Sequence, residues 1–161
     1  MRRRVLLVAV VAIAALAGCS ALSPTDAPLL TVDNRDDVEY RLTVYVLSDH
    51  AGADDLAFRA IDDDGTNRSV GTSELRGNAS FRDVTLEGDA VVSQVTVRAG
   101  ATTTAAINAW SSGVTTVYVV ETTDGTASFV GVEVITCESR GQEHELTVAD
   151  GTISGRSLTC P

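Results

Sequence analysis

The chain contains no lysine. All 12 of its basic residues are arginine, set against 22 aspartates and glutamates in 161 residues. A formal charge of −10 excludes the partners that demand a cationic face, nucleic acid and anionic membrane surfaces among them. Aromatic residues make up 4% of the sequence, thin support for carbohydrate recognition, which needs an aromatic platform. Trp110, Tyr40, Tyr45 and Tyr118 with the phenylalanines are the whole supply, and Trp110 reads as core filler or a loop lid. There are two histidines, His50 and His144, and the single methionine is Met1. Neither a Gly-x-Ser-x-Gly nucleophile elbow nor a glycine-rich phosphate loop occurs. Both histidines sit among carboxylates (Asp49 beside His50, Glu143 and Glu145 beside His144). Such neighbours favour the imidazolium and weaken it as a base, so both are expected on the surface. An enzyme is not expected, nor is a cofactor. After residue 28 no segment carries a sustained 3.6-residue apolar stripe, which excludes a helical domain.

At the N-terminus, Arg2, Arg3 and Arg4 precede an apolar run from Val5 to Ala17, the layout of an export signal. As a helix that run would span about 20 Å against the ~30 Å hydrocarbon core, too short for a permanent transmembrane segment. It ends in Leu16-Ala17-Gly18-Cys19, which resembles the lipobox of lipoprotein signal peptides. The resemblance implies that residues 1–18 are removed and that Cys19 is lipidated on its sulfur and becomes the new N-terminus. It also implies a cell-membrane protein, lipid-anchored and facing outside. Arg2-Arg3-Arg4-Val5-Leu6 loosely resembles a twin-arginine signal as well. Residues 19–28 then form the lipidated cysteine and a small, polar, Pro-punctuated tether. Stretched out, the tether reaches about 30 Å. Residues 29–161 are left as one extracytoplasmic domain.

Beyond Gly18, nine arginines remain beside all 22 acidic residues, a formal charge of −13. Acidity, absent lysine, small apolar residues and abundant Thr and Asp together resemble the composition of extreme halophiles. On that resemblance the acidic surface is a solvent adaptation that holds water and salt.

From Leu29 the pattern has period two. Val38 to Leu47 places Tyr40, Leu42, Val44 and Val46 on one face and Glu39, Arg41, Thr43 and Tyr45 on the other, a half-buried strand. Leu56 to Ile61 repeats the alternation, and Phe81 to Leu86 reads as an edge or short strand. Val91 to Arg98, Thr102 to Ala109, Val114 to Thr122 and Thr126 to Cys137 are rich in Val and Thr, which suit a pleated surface. Arg98-Ala99-Gly100-Ala101, Thr123-Asp124-Gly125-Thr126 and Asp150-Gly151 predict tight hairpins and antiparallel neighbours. Thr72 to Arg76 has room for one helical turn. About eight to ten short strands in one domain point to an all-β, antiparallel β-sandwich, with a small β-barrel as the alternative. Thr31-Val32-Asp33-Asn34-Arg35 leading into Tyr40-Arg41-Leu42-Thr43-Val44 resembles the immunoglobulin-like domains of halophile surface proteins, which implies an immunoglobulin-like sandwich.

With Cys19 assigned to lipid, Cys137 and Cys160 form an even pair in an oxidising compartment, and a disulfide is the favoured assignment. It would close a loop of about 24 residues, worth roughly 3 kcal/mol on the chain-entropy model. The other reading is copper ligation by His50, His144 and Cys137, which lacks the usual methionine. His144-Glu145 begins like a zinc-protease helix, but Val148 stands where the second His belongs. Asp62-Asp63-Asp64-Gly65-Thr66-Asn67 clusters hard oxygen ligands before a glycine bend. Setting Gly65 at the sixth position of an EF-hand loop puts Ala60 and Gly71 where acids belong, so the motif fails. A looser cation site at Asp62, Asp64 and Asn67 remains beside the plainer reading of a solvated turn; no other metal site is expected.

The expected function is a non-enzymatic cell-surface lipoprotein domain with a binding or structural role in the envelope. The alternative is a small-ligand or solute-binding lipoprotein accessory to a transport or secretion system. Expected partners are the membrane, through lipid on Cys19, and an unknown envelope protein or small ligand; nucleic acid is not among them. A closed apolar pocket between sheets would favour the alternative, and an exposed apolar patch the leading reading.

The charge generates a first prediction. Residues 29–161 repel themselves at low ionic strength, so their melting temperature should rise as salt goes from low to molar concentration. A flat or falling melting temperature across that range would contradict the halophile reading.

Overall fold

The computed structural model describes residues 28–48, 51–77, 80–111, 113–125, 128–136 and 143–157. Eleven strands, a single 3₁₀ turn and one short helix are found among them. The fold is an immunoglobulin-like β-sandwich with a third, smaller layer. In the first sheet the strand order is β11 (Thr152–Ser157), β10 (Glu143–Ala149), β1 (Leu29–Asn34) and β7 (Thr102–Ala106). The central sheet runs β6 (Ala90–Val97), β2 (Tyr40–Leu47), β8 (Thr115–Thr122) and β9 (Phe129–Thr136). The small sheet runs β4 (Asn67–Gly71), β3 (Ala57–Ile61) and β5 (Arg82–Leu86), with helix α1 (Thr72–Gly77) between β4 and β5 in sequence. These are open sheets with free edges, so the barrel alternative is set aside.

Side-chain alternation explains the layering. Leu30, Val32, Leu146 and Val148 of the first sheet meet Leu42, Val44, Tyr118 and Val120 of the central one in one core. Tyr45, Val117, Val119 and Val132 point the other way, into a second core closed by Phe58, Val84, Leu86 and the helical Leu75. The central sheet is therefore covered on both faces. That is why β8 reads as a nearly continuous apolar run, Thr-Thr-Val-Tyr-Val-Val, and not as alternation. The half-buried reading of β2 is corrected on the same ground, since Thr43 and Tyr45 are buried as well as the opposite face.

The hairpins at Asp124-Gly125 and Asp150-Gly151 form as expected, joining β8 to β9 and β10 to β11. Asp150 and Gly151 both take positive φ, 53° and 65°, the left-handed pair that a two-residue turn requires. The connection at Arg98-Ala99-Gly100-Ala101 is a correction: it carries the chain from β6 in the central sheet to β7 in the first, and makes no hairpin. Neighbours are also not uniformly antiparallel, because β1 pairs with β10 in parallel, Leu30 opposite His144 and Val32 opposite Leu146. Strand β4 was not expected. Its Asn-Arg-Ser-Val-Gly is poor in β-formers, and pairing with β3 around the Gly65 bend, where φ is 87°, overrides that weak propensity.

Where β9 crosses β11, glycines permit the approach. A Cβ on Gly131 would lie 2.2 Å from Cγ2 of Ile153, and one on Gly155 would lie 2.5 Å from Cγ of Glu133. Ile153 is branched at Cβ, which restricts its χ1 and leaves it few ways to yield. Gly131→Ala should therefore lower stability by about 1–3 kcal/mol, measured by denaturant unfolding. Gly77→Ala, which meets nothing within 4 Å, serves as the neutral control.

Candidate functional site

Three polar arrangements are candidate sites. The first lies at the loop following β1. Asn34 is 1% exposed, and its amide donates to the carbonyls of Val38 (2.8 Å) and Arg98 (2.9 Å) while its oxygen accepts from the backbone N–H of Asp36 (3.0 Å). Asp36 in turn accepts from the Tyr40 hydroxyl at 2.7 Å and from the N–H groups of Asp150 (2.7 Å) and Gly151 (3.1 Å). Those bonds, led by the Tyr40 hydroxyl, hold its carboxyl below the usual carboxylate range. Burial, with the Asp36 charge adding to it, pushes the Tyr40 phenol well up. The cluster ties the β1–β2 loop to the β6–β7 crossing and to the β10–β11 turn. It spends its polar atoms on the fold and leaves none aimed at a ligand.

The second arrangement is inside the main core. His144 on β10 is 1% exposed, and its Nδ1 is hydrogen-bonded to the Tyr118 hydroxyl on β8, the two rings meeting edge to face at 83°. This corrects the expectation of a surface, charged histidine. Alternation places Glu143 and Glu145 on the opposite side of β10 from His144, so burial wins over their charge and pushes the imidazole down to about 4. A neutral imidazole sealed from water does not serve as a solvent-accessible base. Tyr118 is likewise pushed far up by burial.

The third is the Asp62–Asn67 turn between β3 and β4. The Asp62 carboxylate faces Arg68 at 3.2 Å, and the carbonyls of Asp62 and Asp63 accept from Arg82 Nη2 at 3.1 and 2.6 Å. Asp64 Oδ1 accepts from the N–H of Thr66 at 2.9 Å, a bond that lowers its carboxyl. Asp62, Asp64 and Asn67 thus share one bend, and two guanidinium groups already sit on its oxygens. Among the described residues no group of three or more His, Cys, Asp or Glu is placed to hold a metal ion.

Cys19, His50, Cys137 and Cys160 lie outside the described residues. Trp110 is partly buried and packs against the main core. Not foreseen was Glu121, 4% exposed on β8. Its carboxylate accepts from Arg41 at 2.8 Å across the strand pair and from the N–H of Val84 at 3.3 Å. The available signal was an acid ending an apolar run.

The main hollows are open grooves. One, about 670 Å³, crosses the outer face of the first sheet between Thr31, Asp33, Thr147 and Ser154. Its charges are satisfied within the chain, Arg35 on Asp33 at 2.8 Å and Arg156 Nε on Glu145 at 2.7 Å. A second groove, about 490 Å³, runs beside β6 and is lined by Val46, Leu47, Val91 and Val114.

A sandwich of open, largely antiparallel sheets, filled inside and polar at its loops, defines the immunoglobulin-like class. More particularly, the chain belongs to the family described as halobacterial Ig domain proteins, whose model matches residues 1–161. No curated protein matches it. Among solved structures, one described as "Trapped Toxin" is similar over 81% of this chain and 23% of its own, at 13% identity and a TM-score of 0.34. Another, "Crystal Structure of Gram Negative Toxin", is similar over 84% and 23%, at 8% identity and a TM-score of 0.28. This chain therefore spans less than a quarter of either, and at these TM-scores neither likeness bears on function.

His144 generates a prediction with a definite sign. Its folded value near 4 lies below the ordinary 6.5, so the unfolded chain takes up the proton first as pH falls. Its contribution is complete above pH ~6.5 and is lost between there and pH ~4, by up to roughly 3 kcal/mol. Urea unfolding of His144→Leu should show a correspondingly shallower loss over that window. Coincident pH profiles for the two proteins would refute this assignment.

Proposed function

We propose that this chain is a non-enzymatic module of the cell envelope, held outside the membrane by lipid on Cys19 and acting through its exposed sheet faces and edges in binding or structure. The observation that carries this reading is the filled interior. Side chains from facing sheets meet in both cores, and the grooves beside Thr31, Val46, Leu75 and Arg41 open outward. A solute-binding accessory needs an enclosed apolar pocket between its layers. The burial of His144, which removes one of only two imidazoles from solvent, supports a non-catalytic role. The family's immunoglobulin-like character supports the same role, and the lipobox at Leu16-Ala17-Gly18-Cys19 supports the anchor.

A disulfide between Cys137 and Cys160 belongs to this reading. Strands β9 and β11 run the same way where they cross, Gly131 against Ile153 and Glu133 against Gly155. In the sequence Cys137 directly follows β9 and Cys160 comes three residues after β11, so the bond would join the segments that follow these two strands. The bond would then fasten β11, an edge strand held otherwise by β10 and by its contact with β9.

One experiment tests both features. Cys19→Ser should move the protein from the washed membrane fraction to the soluble fraction, and the released protein, unfolded without reductant, should titrate no free thiol. Retention on membranes after a high-salt wash would sink the anchor, and two titratable thiols would sink the disulfide.

A further inference from the structure

Among the described residues, strand β6 is an outer strand of the central sheet, bonded to β2 on one side only. The opposite edge of that sheet, β9, is crossed by β11. The edge strands β4, β5 and β11 each carry an arginine, and β7 has five residues. By contrast β6 has eight residues, Ala-Val-Val-Ser-Gln-Val-Thr-Val, without a charge, in a chain that is 21% charged. Val91 and Val92 are 51% and 53% exposed. They point to opposite faces, Val91 into the groove beside Val46 and Val114, Val92 into a mostly polar one beside Tyr45, Val84 and Gln94. An uncovered strand of this length presents a row of unpaired backbone donors and acceptors, and it lacks the charge that edge strands use to refuse a partner.

The ends of β6 indicate the occupant. Asp89 stands just before the strand and Arg98 just after it, both exposed. Each of the other described arginines makes an ion pair within the chain, whereas Arg98 makes none. Two copies of β6 laid antiparallel bring the negative end of one beside the positive end of the other, twice, by symmetry. For a protein this acidic, the uncharged stretch between those ends is also where a second copy approaches with least repulsion.

We propose that two copies of this chain associate through β6, antiparallel about a two-fold axis perpendicular to the central sheet, making one continuous eight-stranded sheet. This goes beyond the anchored-module reading and does not require the lipid. In such a pair one residue near the middle of β6 faces its own copy, with Cβ atoms about 4.5–5.5 Å apart, within disulfide reach.

The test uses the full-length chain with single substitutions Val92→Cys, Ser93→Cys, Gln94→Cys and Val95→Cys. The unsubstituted chain is the baseline, and Ser69→Cys, exposed on β4, the control. Under mild oxidation at least one position should give a product of twice the chain's mass about tenfold faster than the control, as a direct cross-strand pair allows. Val92→Lys, which places two like charges close to the axis, should convert the detergent-solubilised chain from dimer to monomer in sedimentation without lowering its melting temperature. Cross-linking no faster than Ser69→Cys at all four positions, or a sedimenting monomer for the unsubstituted chain, overturns the proposal. So does cross-linking of β6 to a protein of another mass, which would mean that a different chain supplies the strand.

Discussion

Every layer of the molecule is tied to β8, whose Tyr118 and Val120 enter one core while Val117 and Val119 enter the other. With no face left for solvent, the strand needs side chains that fit two environments at once. The buried Thr116 hydroxyl has no partner among the described residues, whereas Thr115, Tyr118 and Glu121 find partners inside. Glu121 does so through Arg41 and the Val84 N–H, and Tyr118 through His144. A buried charge without its partner would cost several kcal/mol, so these pairs restrict how the sheets can slide. The small sheet hangs on the central one partly through Glu121, and the first sheet partly through Tyr118.

Most strands were legible because the period-two alternation of Val and Thr survives wherever one face is solvated, as in β10 and β3. What the alternation does not carry is which sheet a strand joins. Arg98-Ala99-Gly100-Ala101 has hairpin composition, yet Asn34 takes the Arg98 carbonyl and the Gly100 N–H bonds to Asp36, and those bonds turn the chain across to the other sheet. The parallel β1–β10 pair is similarly invisible, being a contact between segments more than a hundred residues apart. His144 was misread because its sequence neighbours are carboxylates, whereas alternation puts them on the other side of the strand. The Asp62–Asn67 cluster looked like oxygen ligands because a sequence does not reveal that Arg68 and Arg82 fold onto it.

The acidic surface and the filled interior fit one solvent regime. Carboxylates placed in loops and turns stay hydrated, while buried polar groups such as Asn34, Glu121 and His144 find partners inside the fold. Arginine does the work that lysine shares elsewhere. Its planar fork reaches two acceptors at once, as Arg82 does with two carbonyls and Arg68 with Asp62 and Glu74.

Strand β1 is hydrogen-bonded on both sides, parallel to β10 and antiparallel to β7. A pull on the chain at Pro28, directed along the strand, would load both ladders in shear, so that their bonds share the force instead of opening one after another like a zipper. The first strand is thus built as a mechanical clamp. Drag or tension transmitted along the residue-28 end would be borne by the two flanking strands together, and the sandwich would resist extension from that end better than its hydrogen bonds taken singly would suggest.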